Sequence, residues 1–231
     1  MVSCDETLSS LDAACIGNIS SEFSFNELIN LPKLLFSYAV RERIGERTIN
    51  IFEKNKEGRT IMHAAALNGD FELYKLLHKL GKFTLEYYLD DNNNTPLHFA
   101  ASVTDLNLRE NIENIFNYSI PLFNIKNKKG MTAAHIAATY GNPLICWVLY
   151  TQIKEKLFTT DNNGNTLMHY AVARDHPTTL NGILKNMGGT NYVNERNKHG
   201  KTILDLANKP TKKSMVKIIL EAFNSTSNIV T

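Results

Sequence analysis

The chain has little of what most kinds of reactive site require. Three cysteines occur in 231 residues, Cys4, Cys15 and Cys146, and no two of them form a Cys-x-x-Cys pair. So sparse and odd-numbered a set argues against a disulfide framework or a thiolate zinc site, and fits a reducing compartment. An excess of charge of one sign is lacking too. Twenty-five Lys and Arg against 23 Asp and Glu leave a formal net charge of +2, which gives neither nucleic acid nor an anionic membrane an electrostatic footprint. No apolar run approaches the ~20 residues of a membrane span, and the acidic start Met1-Val2-Ser3-Cys4-Asp5-Glu6 has no signal-peptide core. The expected location is the cytoplasm. Phosphate-cradling glycine loops, His-Glu-x-x-His and Gly-x-Ser-x-Gly are all missing, so no enzyme activity, cofactor or metal is expected.

What is present is a folded composition, 43% hydrophobic and 21% charged, and a recurring phrase. Gly58-Arg59-Thr60-Ile61-Met62-His63-Ala64-Ala65 returns as Asn94-Thr95-Pro96-Leu97-His98-Phe99-Ala100-Ala101 and as Gly130-Met131-Thr132-Ala133-Ala134-His135-Ile136-Ala137-Ala138. Two further copies are Gly164-Asn165-Thr166-Leu167-Met168-His169-Tyr170-Ala171 and Gly200-Lys201-Thr202-Ile203-Leu204-Asp205-Leu206-Ala207. The threonines step by 35, 37, 34 and 36 residues, a period that marks a stack of small supersecondary units.

Each copy opens with a threonine suited to cap a helix, and Pro96 fits a first turn whose N–H has no partner anyway. The alanine pair gives a narrow helix face, and Asn68-Gly69-Asp70 and Tyr140-Gly141-Asn142 supply a glycine for the left-handed turn that ends it. Second helices follow in Phe71 to Leu77 and Leu144 to Leu149, with apolar residues three and four apart. Asn, Asp and Gly clusters beginning at 55, 90, 127, 161 and 197 are turn chemistry for hairpin-like fingers between units. The second unit has Ser102-Val103-Thr104-Asp105 in place of the glycine, which predicts a longer inter-helix loop before Leu108 to Tyr118. The fourth has Asp175-His176-Pro177 there.

A period near 33 carrying Thr-Pro-Leu-His-x-Ala resembles the ankyrin repeat, over roughly residues 51 to 223. The resemblance implies an all-α solenoid of about five helix-turn-helix units over 51–224, with a flexible tail at 225–231. Residues 1–50 read as a helical cap or a degenerate repeat, since an open solenoid end would expose the apolar side of its first unit. In that stretch Leu11 to Asn18 looks like a worn first-helix motif, Phe25 to Leu31 is periodic, and Leu34, Leu35, Tyr38 and Ile44 are expected to face the first repeat. Leu31-Pro32-Lys33-Leu34-Leu35-Phe36-Ser37-Tyr38 is also similar to the start of an F-box, which would make the chain an adaptor recruiting a ubiquitin ligase.

Four of the seven histidines, His63, His98, His135 and His169, are absorbed by the repeat, one per unit. Units about 10 Å apart make these imidazoles a ladder rather than a metal cluster. Cys146 beside Trp147, and Cys15 among alanines, read as small buried hydrophobes. Lys128, Lys129, Lys198, Lys201 and Lys212-Lys213 read as a solvated rim, with an acidic partner as the alternative.

Family members bind proteins through their finger tips and the exposed side of their first helices. Carried over by position, the resemblance implies contacts from the residue before each motif threonine, namely Arg59, Asn94, Met131, Asn165 and Lys201. It adds the tips Lys56, Glu57, Asp91, Asn92, Lys128, Lys129, Asn162, Asn163, Lys198 and His199, and the helix ends Leu67, Asn68, Ser102, Val103, Thr139, Tyr140, Ala173 and Arg174. Most weight falls on Arg59, Asn68, Asn94, Lys128, Lys129, Met131, Tyr140, Asn165, Arg174 and His199. Met131, Tyr140, Arg59 and Arg174 lead, because large aromatic and arginine side chains dominate interfaces once desolvated. The implied function is a non-catalytic, monomeric module that binds a partner protein and neither nucleic acid nor membrane. Twenty-seven asparagines, with abundant Lys and Ile, suggest an AT-rich genome. Small ankyrin proteins of this composition resemble effectors that intracellular bacteria deliver into host cells, which would make the partner a host protein.

Overall fold

The computed structural model describes residues 24–227, apart from 30, 32, 82–83, 120–121 and 209. The worn motif at Leu11 to Asn18, Cys4 and Cys15 lie outside the described residues. Twelve α-helices are present among them: α1 Phe25–Leu28, α2 Lys33–Gly45, α3 Ile61–Leu67, α4 Phe71–Leu80, α5 Pro96–Ala100, α6 Arg109–Tyr118, α7 Ala133–Thr139, α8 Pro143–Ile153, α9 Leu167–Ala173, α10 Pro177–Asn186, α11 Ile203–Ala207 and α12 Lys213–Ser227. From α3 onward they alternate. Short inner helices (α3, α5, α7, α9, α11) stack on one another, and longer outer helices pack behind them, which is the all-helical solenoid the repeat implies.

The inner helices are short because a cap and a turn bracket them. Each starts at the motif threonine, whose extended backbone is that of an N-cap, and the third helical residue closes a capping box with it. Two of the turns that end them use glycine at positive φ, Gly69 and Gly141. Gly141 is required twice over, since a Cβ there would also meet the His176 ring at 2.5 Å. Asp175 takes the same left-handed geometry in the fourth unit, a conformation that Asp tolerates better than most residues. The second unit makes its longer turn through a short 3₁₀ helix, Leu106–Leu108.

The outer helices bury one stripe each: Leu73, Tyr74 and Leu77 on α4, Ile112, Ile115 and Phe116 on α6, and Ile145, Cys146 and Leu149 on α8. On α10 the stripe is Leu180, Ile183 and Leu184, and on α12 it is Met215, Ile219 and Ala222. These join the inner alanines in one continuous core. Burial pushes the Cys146 thiol up to about 12, so it stays an inert thiol at physiological pH.

Before the repeats, Phe36, Ala39 and Val40 of α2 are buried, and Ser37 and Arg41 donate to the Asp70 carboxylate of the first inter-helix turn. Tyr38, expected on the buried side, is instead exposed. A helix presents one face at spacings of three and four, so Phe36, Ala39 and Val40 exclude Tyr38 from it. At the other end α12 continues to Ser227, past the expected start of the tail at 225.

A second set of bonds runs from the third, fourth and fifth units back to the preceding one. The Asn142 side-chain amide donates to the Val103 carbonyl at 3.0 Å, and His176 Nε2 pairs with the Thr139 carbonyl at 2.9 Å. Lys212 donates to the Val172 and Ala173 carbonyls at the end of α9. Lys212 is therefore buried structure and no part of a solvated rim; a cation there meets carbonyls at the negative end of a helix dipole. Replacing Lys212 by Met should lower the urea midpoint more than replacing exposed Lys213 by Met, because only the first removes a buried donor from the Val172 and Ala173 carbonyls. Equal effects would remove Lys212 from this role.

Candidate partner-binding face

The histidines determine what is left free. In each of the first four units the threonine N–H donates to the histidine Nδ1, at 3.0 Å in Thr60–His63, 3.1 Å in Thr95–His98, 3.1 Å in Thr132–His135 and 3.2 Å in Thr166–His169. The opposite ring nitrogen meets a carbonyl of the next unit: Asn94 at 3.2 Å, Met131 at 2.9 Å, Asn165 at 3.1 Å and Lys201 at 3.1 Å. An N–H faces Nδ1 and a carbonyl faces Nε2, so the ring is neutral with its proton on Nε2. Burial holds His63 and His135 down at about 4 and lowers His98 and His169. In the fifth unit, the last among the described residues, Asp205 accepts from the Thr202 N–H and hydroxyl at 2.9 and 3.0 Å, doing the inner half of the histidine's task.

The fingers are equally regular. The Oδ1 of Asn55, Asp90, Asn127, Asp161 and Asn197 accepts from the backbone N–H groups two and four residues on, at 2.7 to 3.0 Å. Successive tips are tied by backbone bonds from Asp91, Lys128, Asn162 and Lys198 to the carbonyls of Glu57, Asn92, Lys129 and Asn163. Gly130 permits this approach, because a Cβ there would meet the Asn162 amide oxygen at 2.3 Å. Tips bonded in this way form a continuous ridge.

The expected contact residues divide accordingly. Tyr140 is 51% exposed; Arg174, Lys128, Lys129 and His199 are exposed, and Asn68 is partly so. Met131 is not available, being only 7% exposed. Asn94 and Asn165 are partly exposed, but their polar atoms are engaged. Their amides donate to Asp90 and Asp161 at 3.0 and 3.3 Å, and their oxygens accept from Asn127 and Asn197 at 2.9 Å each. Where a finger begins with Asp, the residue before the next threonine is an Asn that pairs with it. In the third and fifth fingers, which begin with Asn, that amide is already spent on the preceding unit and Met131 or Lys201 follows, whereas in the first the Asn55 amide donates to Glu57 at 2.6 Å and Arg59 follows. The two-unit alternation of Asp-x-x-x-Asn with Asn-x-x-x-Met or Lys was visible in the sequence and separates these roles.

Arg59 has a double engagement. Its guanidinium lies over the Phe99 ring at 4.8 Å and 3.9 Å from the Asp90 carboxylate. Reading the motif alone missed the residue after the histidine in three units, Phe99, Ile136 and Tyr170, and Leu206 after Asp205 in the fifth; they are only partly buried and line the inner-helix surface. Phe99 and Tyr170 stand edge-on to the preceding unit's His63 and His135, at 5.5 and 5.9 Å. Tyr170 donates to Asp161 at 2.6 Å. Burial works to raise the Asp161 carboxyl, but hydrogen bonds from Tyr170, Asn165 and Asn163 outweigh it and hold it below the usual carboxylate range. Among the described residues, no group of three His, Cys, Asp or Glu side chains could hold a metal.

The family model for ankyrin repeats, three copies to the model, matches residues 36–120 and 106–196, more than half of the chain. The B-cell lymphoma 3 protein of Homo sapiens is 28% identical over 133 residues, 57% of this chain and 29% of that protein. The human transient receptor potential cation channel subfamily A member 1 is 28% identical over 134 residues, 58% of this chain and 12% of that protein. The chain thus aligns with less than a third of either relative.

The division between buried and free residues is measurable. Met131→Ala should cost about 2 kcal/mol or more, as large-to-small changes at buried sites do, whereas Tyr140→Ala should stay within about 0.5 kcal/mol. Urea denaturation of the two variants checks this, and the reverse ranking would contradict the placement. Acid should weaken the ladder. A histidine whose folded pKa lies below its unfolded value of 6.5 contributes its full stability above that pH and loses it as pH falls toward the folded value, about 4 for His63 and His135. The loss is up to about 1.4 kcal/mol per pH unit for each. Unfolding midpoints at pH 7.5 and pH 5 should therefore differ in favour of the higher pH.

Proposed function

Since the chain belongs to the ankyrin-repeat family, a family of generic protein-interaction modules, we propose that it is a non-catalytic module that holds a partner protein against its inner-helix surface and finger ridge. The observation that carries the reading is how completely the polar motif residues are used. Each buried histidine bridges two units, the finger carboxylates and amides bond to one another, and Cys146 is buried. Little chemistry is left over. The groups that face solvent, wholly or in part, are large and suited to contact: Tyr140, Arg174, the partly exposed Phe99, Ile136 and Tyr170, and the finger lysines. Aromatic and arginine anchors in such a surface are the usual carriers of binding energy.

Recruitment of an enzyme such as a ubiquitin ligase through the first fifty residues is the second reading. Against it, Phe36 of the F-box-like stretch is buried and Ser37 and Arg41 are bonded to the first repeat, which favours a cap. Delivery into a host cell rests on composition alone.

Affinity capture tests the main reading. The full chain and a variant carrying Arg59→Ala, Tyr140→Ala and Arg174→Ala serve as baits, with Trp147→Ala on an outer helix as control. A protein held by the chain and the control but lost from the triple variant is the expected result. Partners held equally by all three baits would end the reading. With residues 1–48 deleted, an adaptor keeps its fold and loses only a second partner, whereas removal of a cap lowers the unfolding midpoint itself.

A further inference from the structure

We propose that the ridge formed by the last three fingers takes an extended acidic segment of the partner, so that carboxylates meet lysines two units apart. The inference rests on the protein-binding reading above and narrows it. Segments 126–131, 160–166 and 195–202 hold six cations, Lys126, Lys128, Lys129, Arg196, Lys198 and Lys201, against two carboxylates, Asp161 and Glu195. That is a local net of +4 in a chain whose formal charge is +2, so the excess is concentrated here.

Several of these charges are already engaged. Lys126 donates to the Thr160 carbonyl, Arg196 pairs with Asp205, and Asp161 is buried under its hydrogen bonds. Lys128, Lys129 and Lys198 remain exposed, with no ion pair within 4 Å among the described residues. Glu57 and Asp91 stand exposed at the tips of the first two fingers beside the equally exposed Lys56, so the positive excess of the ridge lies at its last three fingers. An acidic segment is attracted most strongly to that end.

The spacing is fixed because the fingers are bonded to each other. Lys128 and Lys198 lie two units apart, about 20 Å at helix-packing separations, which an extended chain covers in about six residues. Between them the Asn162 and Asn163 tips offer uncharged polar groups, and Ile136 and Tyr170 provide a partly apolar floor beside the ridge. A nucleic acid fits less well. The three tips carry no Phe, Tyr or Trp on which a base could stack, only the His199 imidazole, and the Asp161 and Glu195 carboxylates interrupt the basic strip that a phosphate backbone would follow.

Selection of random peptides displayed on phage against the immobilised full chain tests this. Enriched peptides are then measured by fluorescence anisotropy at low and at physiological salt. Glu- and Asp-rich peptides are expected, weakened by salt and weakened about tenfold or more by Lys128→Glu, Lys129→Glu and Lys198→Glu together. The corresponding Lys→Gln variant, with an unchanged urea midpoint, should show a smaller loss in the same direction and guards against misfolding. Acidic peptides that bind the charge-reversed chain as well as the original overturn the inference. Neutral or basic peptides that lose binding with Tyr140→Ala and Arg174→Ala also overturn it but leave the protein-binding reading standing. If no peptide depends on either set of residues, that reading falls too. A single-stranded oligonucleotide that binds more tightly than the best peptide and displaces it would replace the acidic segment with nucleic acid.

Discussion

One imidazole in each of the first four units ties the solenoid together. Its Nδ1 accepts from the threonine that starts its own inner helix, and its Nε2–H donates to the finger of the next unit. A single ring therefore fixes where one helix begins and how far away its neighbour sits. No other neutral side chain of this size carries an acceptor and a donor on opposite sides of a rigid plane. Because both atoms are buried, either bond left unmade would strand a polar group away from water, and the ring is held in one tautomer by both partners at once.

The rest of the architecture follows from that bond. With units held at a fixed separation, the finger tips come within hydrogen-bonding distance and form a ridge. The turns on the opposite side reach backward through Asn142, His176 and Lys212. Motif residues are consumed by these connections, and the positions without such duty are the ones that can differ from unit to unit. Stacking thus uses one set of residues and leaves a second set on the same short helices without that duty. A surface residue can change without disturbing the pile.

Much of this was legible in the sequence because a repeat is a local pattern copied several times. Threonine, histidine, alanine and glycine at fixed offsets identify the inner helix, its cap and its turn. What the motif did not convey concerns relations between units. Met131 occupies the same motif position as Arg59 and Lys201, yet it alone of the three is buried. Lys212 looks like half of a surface pair until α9 is seen to end beneath it. Tyr38 and Phe36 are two residues apart in one helix, and only the position of the first repeat decides which is covered. The partly exposed Phe99, Ile136 and Tyr170 read as core apolar residues in a one-dimensional pattern.

Ring nitrogen NMR on uniformly ¹⁵N-labelled protein near neutral pH tests the central bond most directly. His63, His98, His135 and His169 should each appear as the neutral tautomer with an unprotonated Nδ1, and the Nε2 protons should exchange slowly enough to be seen coupled to their nitrogens. Rings found protonated on Nδ1, or averaging freely between tautomers, would mean that the units are not joined through them and would contradict the account.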